Sequence, residues 1–398
     1  MHSGNPPDGS ATSVASLGGV PGRAPRELVL LGAGHAHLQV LSHWAKHPLP
    51  GVRITLVTPH ARQLYSGMVP GFVAGRYTID ACAVALEPLV RAAGISWLQH
   101  SVVALDAQAQ TLQIDDGSTR PYDCLSVNTG PVQNRGLLEQ QLPGARQHGL
   151  FVRPIEAFAG LWPQVVEMGS NRLLRFAVIG GGAAGIELAL AIRQRMPRAA
   201  VTLLCGPTPA GATYPAPAQQ RIGAALRSRR ITVIQDSATG ITASAVQLAS
   251  GATLACDIPV IATGAQAPAW LADSGLALDA QGFIAVDDCQ RSTSHSQVLA
   301  AGDICTRQDR ALPRSGVYAV RAGPALARNL QATVQGNALT PHQPPTTSLN
   351  LLSCGDGVAI ASWGGYSATG RWAWWLKDWI DRRFVNRFRL SADRVQHP

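Results

Sequence analysis

From Glu27 onward, short apolar runs alternate with stretches of helical period, the pattern of buried parallel strands joined by covering helices. Leu28-Val-Leu-Leu31 predicts a strand, followed by a glycine turn and a helix. Arg53–Thr58 predicts a second strand, and Gln63 to Gly75 reads as a glycine-punctuated loop. Ser101 to Ile114 predicts short strands closed by a turn at Asp115 to Gly117. Tyr122 to Val127 is an apolar strand ending in Thr129-Gly130. The pattern then repeats: a helix over Pro154 to Glu167, a strand over 174–179, a glycine turn, and a helix to about Arg195. Strands over Ala200–Leu204, Ile231–Ile234 and Asp257–Ala262 follow, with a hairpin at Ser250-Gly251. Ser296 to Ala301 predicts a strand ending in Gly302-Asp303, and a helix covers Gly316 to Gln331. A proline-rich stretch, Thr340 to Pro345, precedes two strand patterns and a last helix, Gly370 to Leu390.

The two glycine turns lie about 148 residues apart. The first carries Gly32 and Gly34; the second carries Gly180, Gly182 and Gly185. In such a turn the first glycine permits the tight bend. The second lets the backbone approach a pyrophosphate on the helix N-terminus, where free N–H groups and the helix dipole favour anions. Two turns at this spacing predict two dinucleotides held face to face, the arrangement that passes a hydride from a nicotinamide to a flavin.

With 398 residues the chain exceeds the usual size of one domain. No apolar run approaches the roughly 18 residues of a spanning helix. Residues 1–26 are rich in Gly, Ser, Pro and Ala and lack a basic start with an apolar core, so they read as a disordered tail. The net charge of +9 raises the question of nucleic acid, but the cations are scattered up to residue 370 and no finger or helix-turn-helix spacing occurs, so no nucleic-acid partner is expected. Seven widely spaced cysteines without a CxxC exclude a disulfide framework and a zinc site; no metal and a cytoplasmic home are expected.

Glycine turn, Thr-Gly strand, second glycine turn, Ala262-Thr-Gly264 and Ala301-Gly-Asp303 occur in one order. That order resembles the pyridine nucleotide-disulfide oxidoreductases over roughly residues 27 to 335. The resemblance implies an α/β fold with two Rossmann-like domains and two cofactors, FAD and NAD(P)H. It divides the chain into an FAD domain in two parts, 27–150 and 266–338, an inserted NAD(P)H domain, 151–265, and a closing segment, 339–398. It places FAD on Gly32, Gly34, His35, Thr58, Thr129, Gly130, Gly302 and Asp303, with the helix beginning at Val317 facing the flavin pyrimidine. It places the nicotinamide dinucleotide on Gly180, Gly182 and Gly185, with Glu187 near the nicotinamide; a first-turn Glu stabilised by the helix dipole is the plainer reading of that residue. Tyr65 to Gly71 and Trp374 to Phe384 resemble, more narrowly, the flavoprotein module fused to or encoded with selenide, water dikinase, itself similar to type II NADH:quinone oxidoreductases. Association with that kinase is the partner this implies.

Three departures matter. His37 stands where the first motif has Gly or Ala, so it either alters helix–strand packing or brings a catalytic imidazole toward the flavin, with His35 beside it. The ribose-binding acid expected about 20 residues on is absent; Thr58 and Cys205 occupy those strand ends. Ser66 to Gly71 contains no cysteine, which disfavours a dithiol relay. Sulfide:quinone oxidoreductases use a cysteine pair at the flavin. Cys354 suits one member, but Phe151 to Glu167 supplies no other, and Cys124 lies in a buried-looking strand.

In the last helix, Trp372, Trp375, Leu376, Trp379, Ile380, Phe384 and Phe388 fall on one apolar face. Arg371, Lys377, Arg382, Arg383, Arg387 and Arg389, with Asp378 and Asp381, fall on the other. Such a helix predicts an anionic membrane surface as partner for residues 370–390, peripheral on the inner face; packing on the FAD domain or in a homodimer is the alternative. The expected activity is NAD(P)H oxidation with reduction of a quinone-like acceptor. A sulfide- or selenium-handling flavoprotein is the second reading, and an NAD(P)H-responsive flavin sensor the third.

Overall fold

The computed structural model describes residues 25–389; the expected disordered tail lies outside them except for its last two residues, and so does Leu390. Arg26 already opens the first strand, Arg26–Leu31.

That strand sits third in a five-stranded parallel sheet, in the order Val298–Ala300, Cys124–Val127, Arg26–Leu31, Val52–Val57, Ser96–Leu98. Leu28 pairs with Cys124 and Leu31 with Val127, so both strands end together at the glycine turn. A second parallel sheet has the same plan: Leu150–Phe151, Ile258–Ile261, Arg175–Ile179, Ala200–Leu204, Thr232–Ile234. These strands are apolar on both faces because each sheet is covered on both sides, by helices on one face and largely by short antiparallel strands on the other.

Helices His35–Trp44 and Gly316–Gln335 pack together on the first sheet. Their crossing needs Gly323, where a Cβ would lie 2.5 Å from Gln39 Cβ and 3.0 Å from the Ala36 carbonyl. Bringing these two helices together also brings their N-termini to one place, which shapes the site.

Two expectations change. The loop over Gln63 to Gly75 is ordered structure: a strand Arg62–Leu64 paired with Ala83–Ala85, a 3-10 turn Ser66–Met68, and a short helix Val69–Val73 begun by Pro70. Burial of Met68, Pro70, Gly71 and Val73 overrides the loop-like composition. The last helix, Arg371–Arg387, is rotated relative to its expected apolar face. Ala373, Asp381, Phe384, Val385 and Phe388 face inward, whereas Trp372, Trp375 and Trp379 are 50%, 59% and 56% exposed. Phe384, Val385 and Phe388 join the core of the first sheet, so Lys377 and Asp381, on the same side, are drawn inward with them.

The closing segment links both sheets. An antiparallel trio, Asn350–Ser353, Ala359–Trp363 and Tyr366–Gly370, supplies Leu352 and Ile360 to the core of the second sheet, with Cys354 just beyond the first strand. The following helix packs on the first.

Candidate functional site

A cavity of about 600 Å³ opens where the strands of the first sheet end, within the usual range for a small-molecule site. The glycine turn lies in its wall. Gly32 has φ +83°, and a Cβ there would stand 2.7 Å from Thr129 Cα. A Cβ on Gly34 would strike the Asn128 carbonyl and side chain. Any larger residue pushes the turn off the neighbouring strand.

Asn128, which the sequence reading passed over, locks this turn. Its Oδ1 accepts from the amides of Ala36 and His37 at 3.0 and 3.1 Å, its carbonyl accepts from Gly34 N at 3.0 Å, and its Nδ2 donates to the Ala301 carbonyl at 2.5 Å. One side chain therefore ties the first turn of the helix to the strand ends on both sides. Position alone marked it, since it precedes Thr129-Gly130; Thr129 and Gly130 both line the cavity.

His37 is corrected from the expected catalytic role. It is fully buried, with Nδ1 2.5 Å from the Gly32 carbonyl and Nε2 2.7 Å from Ser126 Oγ. Burial pushes its pKa down to about 4, so it is a neutral clamp between turn and strand. It does not line the cavity; His35 does.

Thr58 is buried and lines the end of the cavity formed by Pro59, His60, His100 and Ser101. Asp303 lines the middle, and burial raises its pKa while Arg153 and Arg314 oppose this. Arg153 lines the cavity too; burial lowers its pKa, and Asp303 and Glu156 are the acids whose fields oppose this. Gly302, at φ +77°, does not line the cavity; it packs against Asn128 Nδ2, 2.8 Å from where its Cβ would stand. Gly316 and Ala319, rather than Val317, present the second helix N-terminus to the cavity. Gln63, Ser66 and Arg135 also line it; Ser66 belongs to the Tyr65–Gly71 motif, whereas no sequence signal singled out Gln63 or Arg135.

The second turn differs. Gly180 has φ +132°, and a Cβ on Gly185 would strike the Gly180 carbonyl, so both are needed for the bend. Gly182 caps helix Ala183–Arg195 and faces open space, leaving that N-terminus accessible. Cys205 ends the neighbouring strand, Ala200–Leu204, where an acid would hold a ribose.

Glu187 lies outside the main cavity. It accepts from Ser353 N at 2.7 Å, and burial pushes its pKa up to about 7 against the opposing field of Lys377. Lys377 Nζ donates to the Gly67 carbonyl at 2.8 Å and to Asp381 at 2.9 Å. Burial pulls that ammonium down, but Asp381 and Glu187 outweigh it and hold the pKa above the ordinary lysine value. Tyr65, beside Ser66, is raised by burial and then by Asp381. A line of charged and polar groups thus connects the second glycine-turn helix, the last helix and the wall of the cavity.

The cavity fits an FAD. It has a pyrophosphate cradle that a Cβ would fill, a carboxylate at a strand end, and one lining side chain, His35, whose buried Nε2 has no partner. Among the described residues no cysteine lines it.

Residues 26–329 match the family described as pyridine nucleotide-disulphide oxidoreductase, and the chain belongs to that family. It is 23% identical over 88% of its length to a demethylphylloquinone reductase of Synechocystis sp., covering 87% of that protein. It is 26% identical over 84% of its length to the ferredoxin–NAD(+) reductase component of the anthranilate 1,2-dioxygenase system of Burkholderia cepacia, covering 78% of it. Its fold is similar to that of the sulfide:quinone oxidoreductase from Aquifex aeolicus, with a TM-score of 0.75, 17% identity, and 92% and 91% of the two chains covered.

Proposed function

From that membership we infer an FAD-dependent NAD(P)H oxidoreductase that passes electrons to a quinone-like acceptor without a redox disulfide. The observation that carries this is the dinucleotide cavity itself, framed by Gly32, Gly34 and Asp303 with no cysteine in its wall. Bound FAD would supply the chemistry of accepting a hydride and releasing electrons. The close backbone approach at Gly32–Gly34 and the positive N-terminal end of helix His35–Trp44 would hold its pyrophosphate, and the Asp303 carboxylate would accept a hydrogen bond from its sugar-alcohol chain. The open turn at Gly182 would seat the pyrophosphate of NAD(P)H. The Glu187 carboxyl, with a pKa near 7, can hold or release a proton on the side of Lys377.

The exposed face of the last helix favours a lipid-soluble acceptor. Trp372, Trp375 and Trp379, with Trp363 and Tyr366 on the adjoining hairpin, form an aromatic surface flanked by Arg371, Arg382 and Arg383. That composition suits the headgroup region of an anionic membrane. No helix of the described residues is long and apolar enough to cross one. The Synechocystis relative, a demethylphylloquinone reductase, agrees with a quinone acceptor. A sulfide- or selenium-handling flavoprotein has less support: Cys354 is buried in the core of the second sheet, away from the cavity, and burial pushes its thiol up to about 12.

The test is anaerobic reduction of the purified yellow protein by NADH and by NADPH, then reoxidation by a quinone panel and by a ferredoxin. Rapid quinone turnover that survives Cys354→Ser and Cys124→Ser is expected. Reduction that cannot be reversed by any acceptor would indicate a sensor instead, and collapse of turnover in flavin-replete Cys354→Ser would restore the sulfide or selenium reading.

A further inference from the structure

The layout of the cavity sets which end takes the flavin. The glycine turn holds the pyrophosphate, and the strand-end side at Thr58, Pro59 and His100 is where this fold places the nucleoside ribose. The remaining end is bounded by Gln63, Ser66, Arg153 and Gly316.

His35 stands at that end. Its ring meets Tyr65 and Phe384 edge-on, with centroids 5.1 and 5.5 Å away. Nε2 is buried without a partner. The Nδ1–Cε1 edge faces Gly316: a Cβ there would lie 3.6 Å from Nδ1, 3.5 Å from Cε1 and 3.9 Å from Ser66 Oγ. Imidazole, hydroxyl and the N-terminus of helix Gly316–Gln335 therefore converge on one point of the cavity wall.

Burial, and secondarily Arg153, push the His35 pKa down to about 4, so the ring is neutral and has one proton to place. Nε2 has no acceptor to receive a hydrogen bond. A bare lone pair is a smaller loss there than a stranded N–H. The proton consequently belongs on Nδ1, on the side of Gly316.

We propose that His35 Nδ1–H donates a hydrogen bond to the pyrimidine edge of the bound flavin, beside the Ser66 hydroxyl and the amides that begin helix Gly316–Gln335; this rests on the FAD reading above. Donors fixed at that edge act differentially. They gain strength as negative charge grows on the pyrimidine during reduction, and they need no reorganisation to do so. The helix N-terminus alone supplies only a partial charge. His35 adds a directed donor in a site shielded by Tyr65 and Phe384.

Sulfite addition to oxidised flavin also leaves negative charge on the pyrimidine, so it reads this contact without turnover. FAD-loaded wild type, His35→Phe and His35→Gln are titrated with sulfite, and their midpoint potentials are measured against reference dyes. Phenylalanine retains the edge contacts with Tyr65 and Phe384 and keeps the fold, while Arg153 is unchanged throughout. His35→Phe is expected to bind sulfite about tenfold more weakly and to have a midpoint potential about 30 mV lower, the same tenfold for a two-electron couple. His35→Gln, which keeps an N–H donor, should recover most of both. If His35→Phe fails to retain flavin, His35→Leu, slimmer in the same seam, carries the comparison. Unchanged sulfite affinity and potential in a flavin-replete variant overturn the proposal and leave the FAD reading standing. Wild-type protein that cannot be loaded with flavin overturns both.

Discussion

Lys377 and Asp381 lie one turn apart on the last helix, with Nζ 2.9 Å from the carboxylate, and the pair faces the interior. Because Nζ also donates to the Gly67 carbonyl, the helix is fastened to the segment that carries Ser66 into the cavity wall. Removing one partner leaves an uncompensated buried charge, which costs about 3 kcal/mol. Asp381→Asn should therefore lower the thermal midpoint markedly and loosen flavin retention. The raised Lys377 pKa adds stability that is complete below the ordinary value of 10.5 and is lost as pH climbs through the raised value. Wild-type protein should thus show no loss from the Lys377 ammonium in melts between pH 7 and 9. A midpoint unchanged by Asp381→Asn would show that the pair contributes nothing.

Glu187 gives a pH signature of the same sign, but within the physiological range. Its pKa in the fold is pushed up to about 7 from 4.5, so the fold favours its protonated form. The stability tied to this group is full below 4.5 and drains away as pH rises through about 7. Glu187→Gln retains an oxygen acceptor for Ser353 N and removes the titration. It should match wild type at pH 4.5 and exceed it at pH 8 by up to roughly 3 kcal/mol, the upper bound set by a pKa pushed from 4.5 to about 7. Parallel denaturation curves at both pH values would refute this.

FAD should be held tightly without a covalent bond. Acid precipitation is expected to release all the flavin into the supernatant. Gly34→Val drives a side chain into Asn128 and should yield folded but flavin-poor protein, because the second sheet and its core are untouched. Yellow colour retained in the acid pellet would contradict the first expectation, and normal flavin content in Gly34→Val the second.

Gly182→Val tests the other turn separately. A Cβ there meets nothing within 4 Å, so folding and flavin content should be normal. Reduction by NAD(P)H should fall at least about tenfold, the effect of losing about 1.4 kcal/mol of binding. Rapid-mixing measurement of the visible absorption band of the oxidised flavin would follow it. Undiminished reduction would move the nicotinamide site elsewhere.

The outward tryptophans provide the membrane test. Since Phe384, Val385 and Phe388 belong to the core, deleting the helix would unfold the protein and answer nothing. Trp372, Trp375 and Trp379 changed together to Ser should leave the melt nearly unchanged and abolish flotation with anionic liposomes at any salt. Arg371→Glu with Arg383→Glu should weaken flotation chiefly at low salt, each lost cation being worth about 1 kcal/mol near the surface. Wild-type protein that fails to float would remove the membrane from the proposal.

Local chemistry made much of this protein legible in the chain itself. Apolar runs that end in Gly32 and Gly180 declare parallel strands feeding helices, because only glycine adopts those positive φ values without strain. The repeated order of motifs gives the family and the pair of dinucleotides, and Asp303 stands in the cavity wall where its motif puts it. What tertiary structure alone decided is the direction of side chains whose partners are distant in sequence. His35 and His37 are two residues apart and chemically identical, yet one lines the cavity and the other is spent between Gly32 and Ser126. Asn128 gained its role from the Ala36 and His37 amides some 90 positions away. The last helix shows the same limit: periodicity finds its apolar stripe, but burial of Phe384 and Phe388 against the first sheet turned Lys377 and Asp381 inward and left the tryptophans outside. Helical period fixes which residues share a face; which face is buried depends on the total area each can exclude from water against a particular neighbour, and that neighbour exists only once the chain has folded.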